Sequence, residues 1–288
     1  MGDIRRIGTT SDILGEGPVW CPVAQALWWV DIKAPAVRRW TQATDTVDSW
    51  PMPDSVGSLA VAADGRVLVA LRDRMGLFDP RTGGVAPLTA FDHGGEGIRA
   101  NDGKCDRQGR FWIGTMDEGR RAQRGRLYRL DRTALTAMLD GLDVPNSLCW
   151  SPDGRTMYFA DSAQRTIWAF PFDPAAGTLG ERRVFVRTGD DEAPDGATVD
   201  AEGYVWSARY GGGRVVRHAP DGRIDRMQPV PASQVTSCAF GGPDLATLFI
   251  TTATQRLSPE QLAGQPRAGG LFAVEVGARG LAEPRFAL

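Results

Sequence analysis

The sequence predicts an all-β protein folded as a six-bladed β-propeller, and three observations lead to this prediction. A short apolar segment recurs six times, rich in Val, Ile, Trp, Phe, Tyr and Thr and bounded by Gly, Pro or Asp, as expected of strands. A second apolar run follows most copies, and polar turn clusters rich in Pro, Asp and Gly follow the second runs. The six copies occupy residues 27–32, 66–71, 110–115, 156–161, 204–209 and 247–252.

The spacing of the copies matches the length of a propeller blade. Gly65, Gly109, Gly154 and Gly203 end the turns before four of the copies and follow one another at intervals of 44 to 49 residues. A two-sheet sandwich is the alternative, but it does not require such regular repetition. We therefore assign residues 1–288 to a single propeller domain. We expect an N-terminal strand near residues 4–7 to pair with the C-terminal strands and close the ring.

Composition excludes several classes of function. A formal net charge of −2 gives no electrostatic footprint for nucleic acid, and the apolar runs are too short to cross a membrane. The N-terminal residues lack the apolar stretch of a signal peptide, which favours a cytoplasmic location. No obligate protein partner is implied. The cysteines have no CxxC spacing, so we expect reduced core thiols at Cys21, Cys105, Cys149 and Cys238.

Four polar residues indicate where the chemistry lies. Each comes about eight to eleven residues before the apolar copy of its blade, which places all four in one layer near the ring centre. They are Glu16, Asn101, Asn146 and Asp195. An Asn or Asp before glycine can simply form a turn, but that explanation does not cover Glu16 or Asn146.

Carboxylates buried together on an axis require a positive charge between them. Oxygen ligands favour a hard divalent cation, and three or four of them leave coordination positions for water and substrate. Neither histidine contributes, because we expect His93 and His218 to lie at the surface. A Ser-His-Asp arrangement is also disfavoured, since no Gly-x-Ser-x-Gly elbow occurs.

Several motifs resemble the gluconolactonase, regucalcin and senescence-marker-protein family. They occur in the same order as in the family, from about residue 12 to the end of the sequence. The motifs are residues 14–20 followed by 27–32, residues 99–104 followed by 114–116, Asn146 followed by 151–154, residues 194–196, and residues 238–244. The resemblance implies one catalytic divalent ion held by Glu16, Asn146 and Asp195. It also implies that Arg99 and Asn101 contact the substrate, with Glu118 as a weaker correspondence because its loop is shorter than in animal regucalcins.

The implied activity is hydrolysis of a sugar lactone, either a pentono- or a hexonolactone, to the sugar acid. Asp195 would be both metal ligand and general base, while Arg99, in a loop facing the axis, would orient the polyol. An arginine paired with Glu96 or Asp102 at the surface is the alternative for Arg99. Calcium is the first expectation for the ion, with zinc, manganese, magnesium or iron as alternatives. A calcium-binding regulatory propeller without turnover and a protein-interaction propeller are the competing functions.

Overall fold

Six antiparallel sheets form the fold in the computed structural model, which describes residues 2–92, 95, 97–119 and 123–288. Blades 1 to 3 contain β2 (Gly15–Cys21), β3 (Ala26–Asp31), β4 (Ala36–Thr41) and β5 (Thr46–Pro51); β6 (Val56–Val61), β7 (Val67–Leu71), β8 (Arg74–Asp79) and β9 (Gly84–Ala90); and β10 (Ile98–Cys105), β11 (Phe111–Asp117), β12 (Gly125–Asp131) and β13 (Ala134–Leu142).

The remaining strands complete the ring. Blades 4 to 6 contain β14 (Pro145–Trp150), β15 (Thr156–Asp161), β16 (Thr166–Asp173), β17 (Thr178–Leu179) and β18 (Arg183–Arg187); β19 (Ala193–Val199), β20 (Val205–Tyr210), β21 (Arg214–His218) and β22 (Ile224–Pro229); and β23 (Val235–Gly241), β24 (Thr247–Thr252), β25 (Leu271–Glu275) and β1 (Arg5–Ile7). A 3-10 turn covers Ser162–Gln164, and one short helix, α1, covers Pro259–Gly264.

The six apolar copies are the second strands of the blades, and an inner strand precedes each of them. The inner strands β2, β6, β10, β14, β19 and β23 contact one another around the ring in that order, and β23 contacts β2. They surround a central channel. The outermost strands, such as β5 and β9, are mostly exposed or half-buried, which explains their weak apolar pattern.

An apolar cluster fills each of the six interfaces between neighbouring blades. The cluster between blades 6 and 1 contains Ile7 of β1, and in it Trp20 stacks on Phe249 with ring centroids 5.8 Å apart. The expected closure is confirmed, because β1 pairs antiparallel with β25 and Arg5 lies opposite Ala273. The first and last strands therefore close the ring together.

All six inner strands change register at a β-bulge or similar irregularity. The shifts lie between Glu16 and Val19, Val56 and Ser58, Ala100 and Gly103, Asn146 and Cys149, Pro194 and Ala197, and Val235 and Ser237. A bulge bends its strand and re-aims a side chain, so the shifts determine which groups point into the channel.

The C-terminal segment, residues 276–288, crosses one end of the channel. The backbone N–H of Phe286 donates to the carbonyl of Val61, at the end of β6, over 2.9 Å, and that of Gly280 donates to Leu245 over 2.8 Å. Val61 is the last residue of the inner strand β6, and Leu245 lies four residues after the end of the inner strand β23. We call this the tail end of the channel, and the opposite end, where the inner strands begin, the cavity end.

Candidate active site

The four polar residues singled out from the sequence lie at the bulges of four inner strands. Glu16 is in β2, Asn101 in β10, Asn146 in β14 and Asp195 in β19, and all four are buried and line the same cavity. The prediction of one layer is therefore confirmed. The loop predicted around Arg99 is wrong, because Arg99 and Asn101 lie within β10, where the bulge interrupts the strand pattern.

Glycines after these residues serve close packing rather than turns. Gly196 follows Asp195 inside β19, and a Cβ atom there would collide with the side chain of Ser237 in the neighbouring blade. Gly103 likewise has no room for a side chain beside Ile113. The turn explanation for these Asp-Gly pairs is therefore wrong.

Glu16 and Asp195 form a buried pair of carboxyl groups joined by a hydrogen bond. Burial, followed by the negative charge of Asp102, raises the pKa of Glu16 to about 8. Burial, followed by the charges of Glu16 and Asp102, raises the pKa of Asp195 well above its usual value. In the absence of a cation, the pair retains a proton near neutral pH because two like charges cannot share this space.

The two carboxamides continue the site into blades 3 and 4. The Nδ2 atom of Asn101 donates to the Oδ1 atom of Asn146 over 3.2 Å and to the carbonyl of Pro145 over 2.8 Å. The Nδ2 atom of Asn146 donates to Oγ of Ser162 over 2.8 Å. The Asn146 amide is thus oriented, and its oxygen keeps a second lone pair for a ligand.

Arg99 is buried, with 5 % of its surface exposed, and is held from two sides. Its Nη1 atom donates to Oδ1 of Asn101 over 2.7 Å, and its Nε atom donates to Oε1 of Glu118 over 3.0 Å. Glu118 also accepts from Lys33 and Arg72 at 2.5 and 3.2 Å. Burial would raise the pKa of Glu118, but these three cations lower it to about 2.

These contacts change the expected role of Glu118. The cavity is lined by Arg99 but not by Glu118, which lies behind it. The surface alternative for Arg99 does not hold, because the residue is buried and pairs with Glu118; Glu96 lies outside the described residues.

The cavity has a volume of about 200 Å³. Its lining comes from blades 1, 3, 4, 5 and 6 and includes Leu14, Glu16, Arg99, Asn101, Met116, Val144, Asn146, Ser162, Ala163, Ala193, Asp195, Tyr210, Gln255 and Arg256. Polar side chains thus converge in one concave site, as in small-molecule sites.

The donor set fits a hard divalent cation. Two carboxylates and one carboxamide oxygen line the cavity, and burial together with neighbouring negative charges raises the pKa of both carboxyl groups, so a bound cation would favour their ionised forms. A cluster of three or more His, Cys, Asp or Glu side chains that could hold a metal is not found in the described part of the chain. The proposed set has only two such residues, since Asn146 supplies the third oxygen.

Two aspartates that position the cavity wall were missed from the sequence. Asp31 and Asp161 end β3 and β15 and are buried. Asp31 accepts from the backbone N–H of Leu14 over 3.1 Å, and Asp161 accepts from that of Val144 over 3.0 Å. Each fixes the segment that leads into an inner strand with a polar residue at the cavity, Glu16 in β2 and Asn146 in β14. The sequence contains a signal for this role, because the apolar copies at residues 27–32 and 156–161 both carry an Asp near their C-terminal end.

The histidine prediction is wrong for His218 and untested for His93, which lies outside the described residues. His218 is 1 % exposed, and its ring contacts Arg209 and the carbonyl of Gly222. Burial, followed by the charge of Arg209, lowers the pKa of His218 to about 4. The residue is a neutral core histidine and is not part of the cavity lining. The four cysteines are buried free thiols, as predicted.

Comparisons with known proteins identify the family of this chain. Residues 14–254 match the family described as SMP-30/Gluconolactonase/LRE-like region. A 6-deoxy-6-sulfogluconolactonase of Pseudomonas putida is 38 % identical over 96 % of this chain and 95 % of its own, and an L-arabinolactonase of Azospirillum brasilense is 37 % identical over 99 % and 96 %.

The solved structure of a calcium-binding protein, regucalcin, from Agrobacterium tumefaciens superposes with a TM-score of 0.96 at 32 % identity. The match covers 100 % of this chain and 98 % of that one. Among the described residues, no helix has the length and apolar character needed to cross a membrane. The chain belongs to the SMP-30/gluconolactonase/LRE-like family.

Proposed function

We propose that this protein hydrolyses a sugar lactone to the sugar acid with the help of one divalent cation. Calcium is the first expectation for this cation. The observation that carries the proposal is the convergence of Glu16, Asn146 and Asp195, from three blades, on one cavity as an oxygen donor set with unbalanced negative charge. Relatives 37 and 38 % identical over nearly their full lengths are named lactonases.

Opening a lactone requires attack of water on the carbonyl carbon and cleavage of the ring C–O bond. A divalent cation held by Glu16, Asn146 and Asp195 would supply Lewis acidity for the carbonyl and lower the pKa of bound water. Asp195 accepts the proton of the attacking water and returns it to the alkoxide that leaves the carbonyl carbon. No covalent acyl intermediate is needed.

Residues of blade 3 orient the substrate. Arg99 uses Nε and Nη1 on Glu118 and Asn101, which leaves its Nη2 atom to donate to sugar hydroxyl groups. Asn101 lines the cavity and also connects Arg99 to the proposed ligand Asn146. We therefore assign Glu118 as a positioning residue for Arg99 rather than as a direct contact to the substrate.

A calcium-binding regulatory propeller without turnover is the second candidate. It is favoured by one observation, the description of the Agrobacterium relative as a calcium-binding protein, and it would use the same oxygen donors. A protein-interaction propeller without a metal receives no support from the donor set.

The test is proton release from a panel of aldonolactones by chelated and cation-loaded protein. We expect no hydrolysis after verified chelation and recovery on addition of a divalent cation without refolding, because apolar clusters between the blades hold the ring together. Calorimetric cation binding without hydrolysis of any lactone would favour the regulatory candidate. Full activity after verified removal of metal would contradict the metal site, and the Glu16→Gln variant provides the matched loss of a ligand.

A further inference from the structure

Two arginines line the cavity, and they lie on opposite blades of the ring. Arg99 is in blade 3, and Arg256 follows β24 in blade 6, three blades away in either direction. The proposed cation ligands of blades 1, 4 and 5 lie between them around the ring. A substrate centred on those ligands can therefore meet a guanidinium on two sides.

The two guanidinium groups differ in their hydrogen-bond partners. Arg99 is buried and bonded to Glu118 and Asn101. Arg256 is exposed at the cavity, and within the described part of the chain its side chain makes no hydrogen bond or ion pair. The amide of its neighbour Gln255, which also lines the cavity, makes none either. Two adjacent residues with donor side chains thus line the cavity, and neither side chain has a partner among the described residues.

The backbone that carries these donors is fixed. Residues 254–257 form a turn in which the N–H of Leu257 donates to the carbonyl of Thr254 over 3.2 Å. The N–H of Gln255 donates to Ile13 over 2.9 Å, and the hydroxyl of Tyr210 donates to the carbonyl of Gln255 over 3.3 Å. Arg256 has φ +64°, a left-handed conformation that glycine adopts more easily.

We propose that Arg256, with Gln255, binds a tetrahedral anionic group, a sulfonate or phosphate, on the end of the sugar lactone remote from its carbonyl. This inference rests on the proposed function and names the substrate class of the same site. A guanidinium and an amide together offer donors to three oxygens of such a group. A relative 38 % identical to this chain is named for a lactone that carries a sulfo group at carbon 6.

The subsite is tested first by binding, which does not depend on turnover. Isothermal titration calorimetry compares the binding of gluconate, 6-phosphogluconate and 6-deoxy-6-sulfogluconate. The protein is chelated so that binding of a phosphate group to the cation does not contribute to the measured affinity. We expect the anionic acids to bind about tenfold more tightly than gluconate and the preference to shrink with added salt. Arg256→Gln should remove the preference, while the comparison of sulfonate with phosphate identifies which group the site favours.

Kinetics then measure the same preference in catalysis. In the cation-loaded enzyme, Arg256→Gln should lower kcat/KM for the 6-sulfo or 6-phospho lactone by about tenfold more than it lowers kcat/KM for gluconolactone. Arg256→Gly removes the guanidinium at a backbone angle that suits glycine, so the same loss in this variant is not due to misfolding. Arg132→Gln is the matched control, because Arg132 is exposed, has φ +54° and lies outside the cavity lining.

The outcomes separate the two proposals. Binding preference lost in Arg256→Gln without hydrolysis of any lactone would contradict the lactonase function and keep the anion subsite. Lactone hydrolysis with no preference for anionic ligands, or equal losses for neutral and anionic ligands in Arg256→Gln, would overturn the subsite and keep the function.

Discussion

The two ends of the central channel both bury charged groups but balance them differently. At the cavity end, Glu16 and Asp195 are hydrogen-bonded to each other, and among the described residues neither is bonded to a positively charged side chain. Towards the tail end, Lys104 of β10 lies 3.3 Å from Glu283 of the C-terminal segment and donates to the carbonyl of Ala197 over 2.8 Å. Burial would lower the pKa of Lys104, but nearby negative charges, Glu283 foremost, raise it.

This difference separates a structural ionic cluster from a binding site. The Lys104–Glu283 pair is complete within the chain, so it contributes to folding without any ligand. Among the described residues, no positively charged side chain is bonded to the Glu16–Asp195 pair, so its ionisation opposes folding, and the divalent cation of the proposed function would neutralise it. Substitutions at the two ends should therefore separate effects on activity from effects on stability.

The largest expected effect is on activity at the cavity end. Asp195→Asn should reduce kcat by on the order of 10²-fold or more, because the amide can still offer an oxygen but cannot accept the proton of water. Steady-state lactone kinetics on cation-loaded protein measure this loss, and thermal unfolding checks that the variant is folded. Near-normal hydrolysis by the loaded variant would exclude Asp195 as the general base.

Lys104→Met should instead reduce stability at the tail end. Removing the ammonium leaves Glu283 and the buried Asp102 without their cation, at a cost of about 3 kcal/mol in the free energy of unfolding. Urea unfolding measures the loss, and lactone hydrolysis by the folded fraction should stay within a few-fold of normal. If Lys104→Met and the wild type have the same free energy of unfolding, the Lys104–Glu283 pair does not stabilise the fold.

Arg99→Leu should raise KM for polyhydroxylated lactones by about tenfold while cation affinity changes little. A simple lactone without hydroxyl groups should be affected much less, since it lacks the groups that the guanidinium binds. Glu118→Gln should shift KM in the same direction by a smaller factor, because it loosens Arg99 without removing it. Unchanged sugar-lactone kinetics in Arg99→Leu would show that Arg99 does not contact the substrate.

The smallest expected effect concerns stability and pH without metal. The pKa of Glu16 is about 8 in the folded protein against 4.5 as a free side chain, so the folded state binds more protons between these values. The stability of chelated protein should therefore be greatest below pH 4.5, as far as this group is concerned, and fall as pH rises through 8.

Glu16→Gln removes this ionisation. We expect chelated Glu16→Gln to melt a few degrees above chelated wild type at pH 8 and to match it at pH 5. Glu181→Gln, at an exposed glutamate outside the cavity, is the matched control. A lower melting temperature for Glu16→Gln at pH 8 would mean that Glu16 is a structural residue.

Much of the fold follows from the sequence because the second strands are apolar on both faces and recur at blade length. The closure by β1 also follows, since a propeller leaves its first and last strands as partners. The inner strands were not recognised as strands because bulges place polar residues and glycines, such as Asp195 and Gly196, where a strand is expected to be apolar. The assignment of residues 1–288 to one domain stays a prediction.

The site was predictable where residue type alone determines its role. The carboxylates and carboxamides stood out as polar residues at equivalent positions. The position of Glu118 behind Arg99 was not predictable, because it depends on Lys33 and Arg72 from two other blades. Arg256 was missed for a similar reason, since its place at the cavity depends on a turn fixed by the segment that precedes β2.

The pairing of β1 with β25 also determines when the active site can exist. Glu16 is synthesised early and Asp195 late, and the ring that holds them at one cavity closes only when Leu271–Glu275 becomes available to Arg5–Ile7. A contact between the two extremes of a chain forms late because a long loop must first be closed. On the ribosome, the growing chain therefore exposes Glu16 and Asp195 separately, and the cavity that they line can form only after Leu271–Glu275 has emerged.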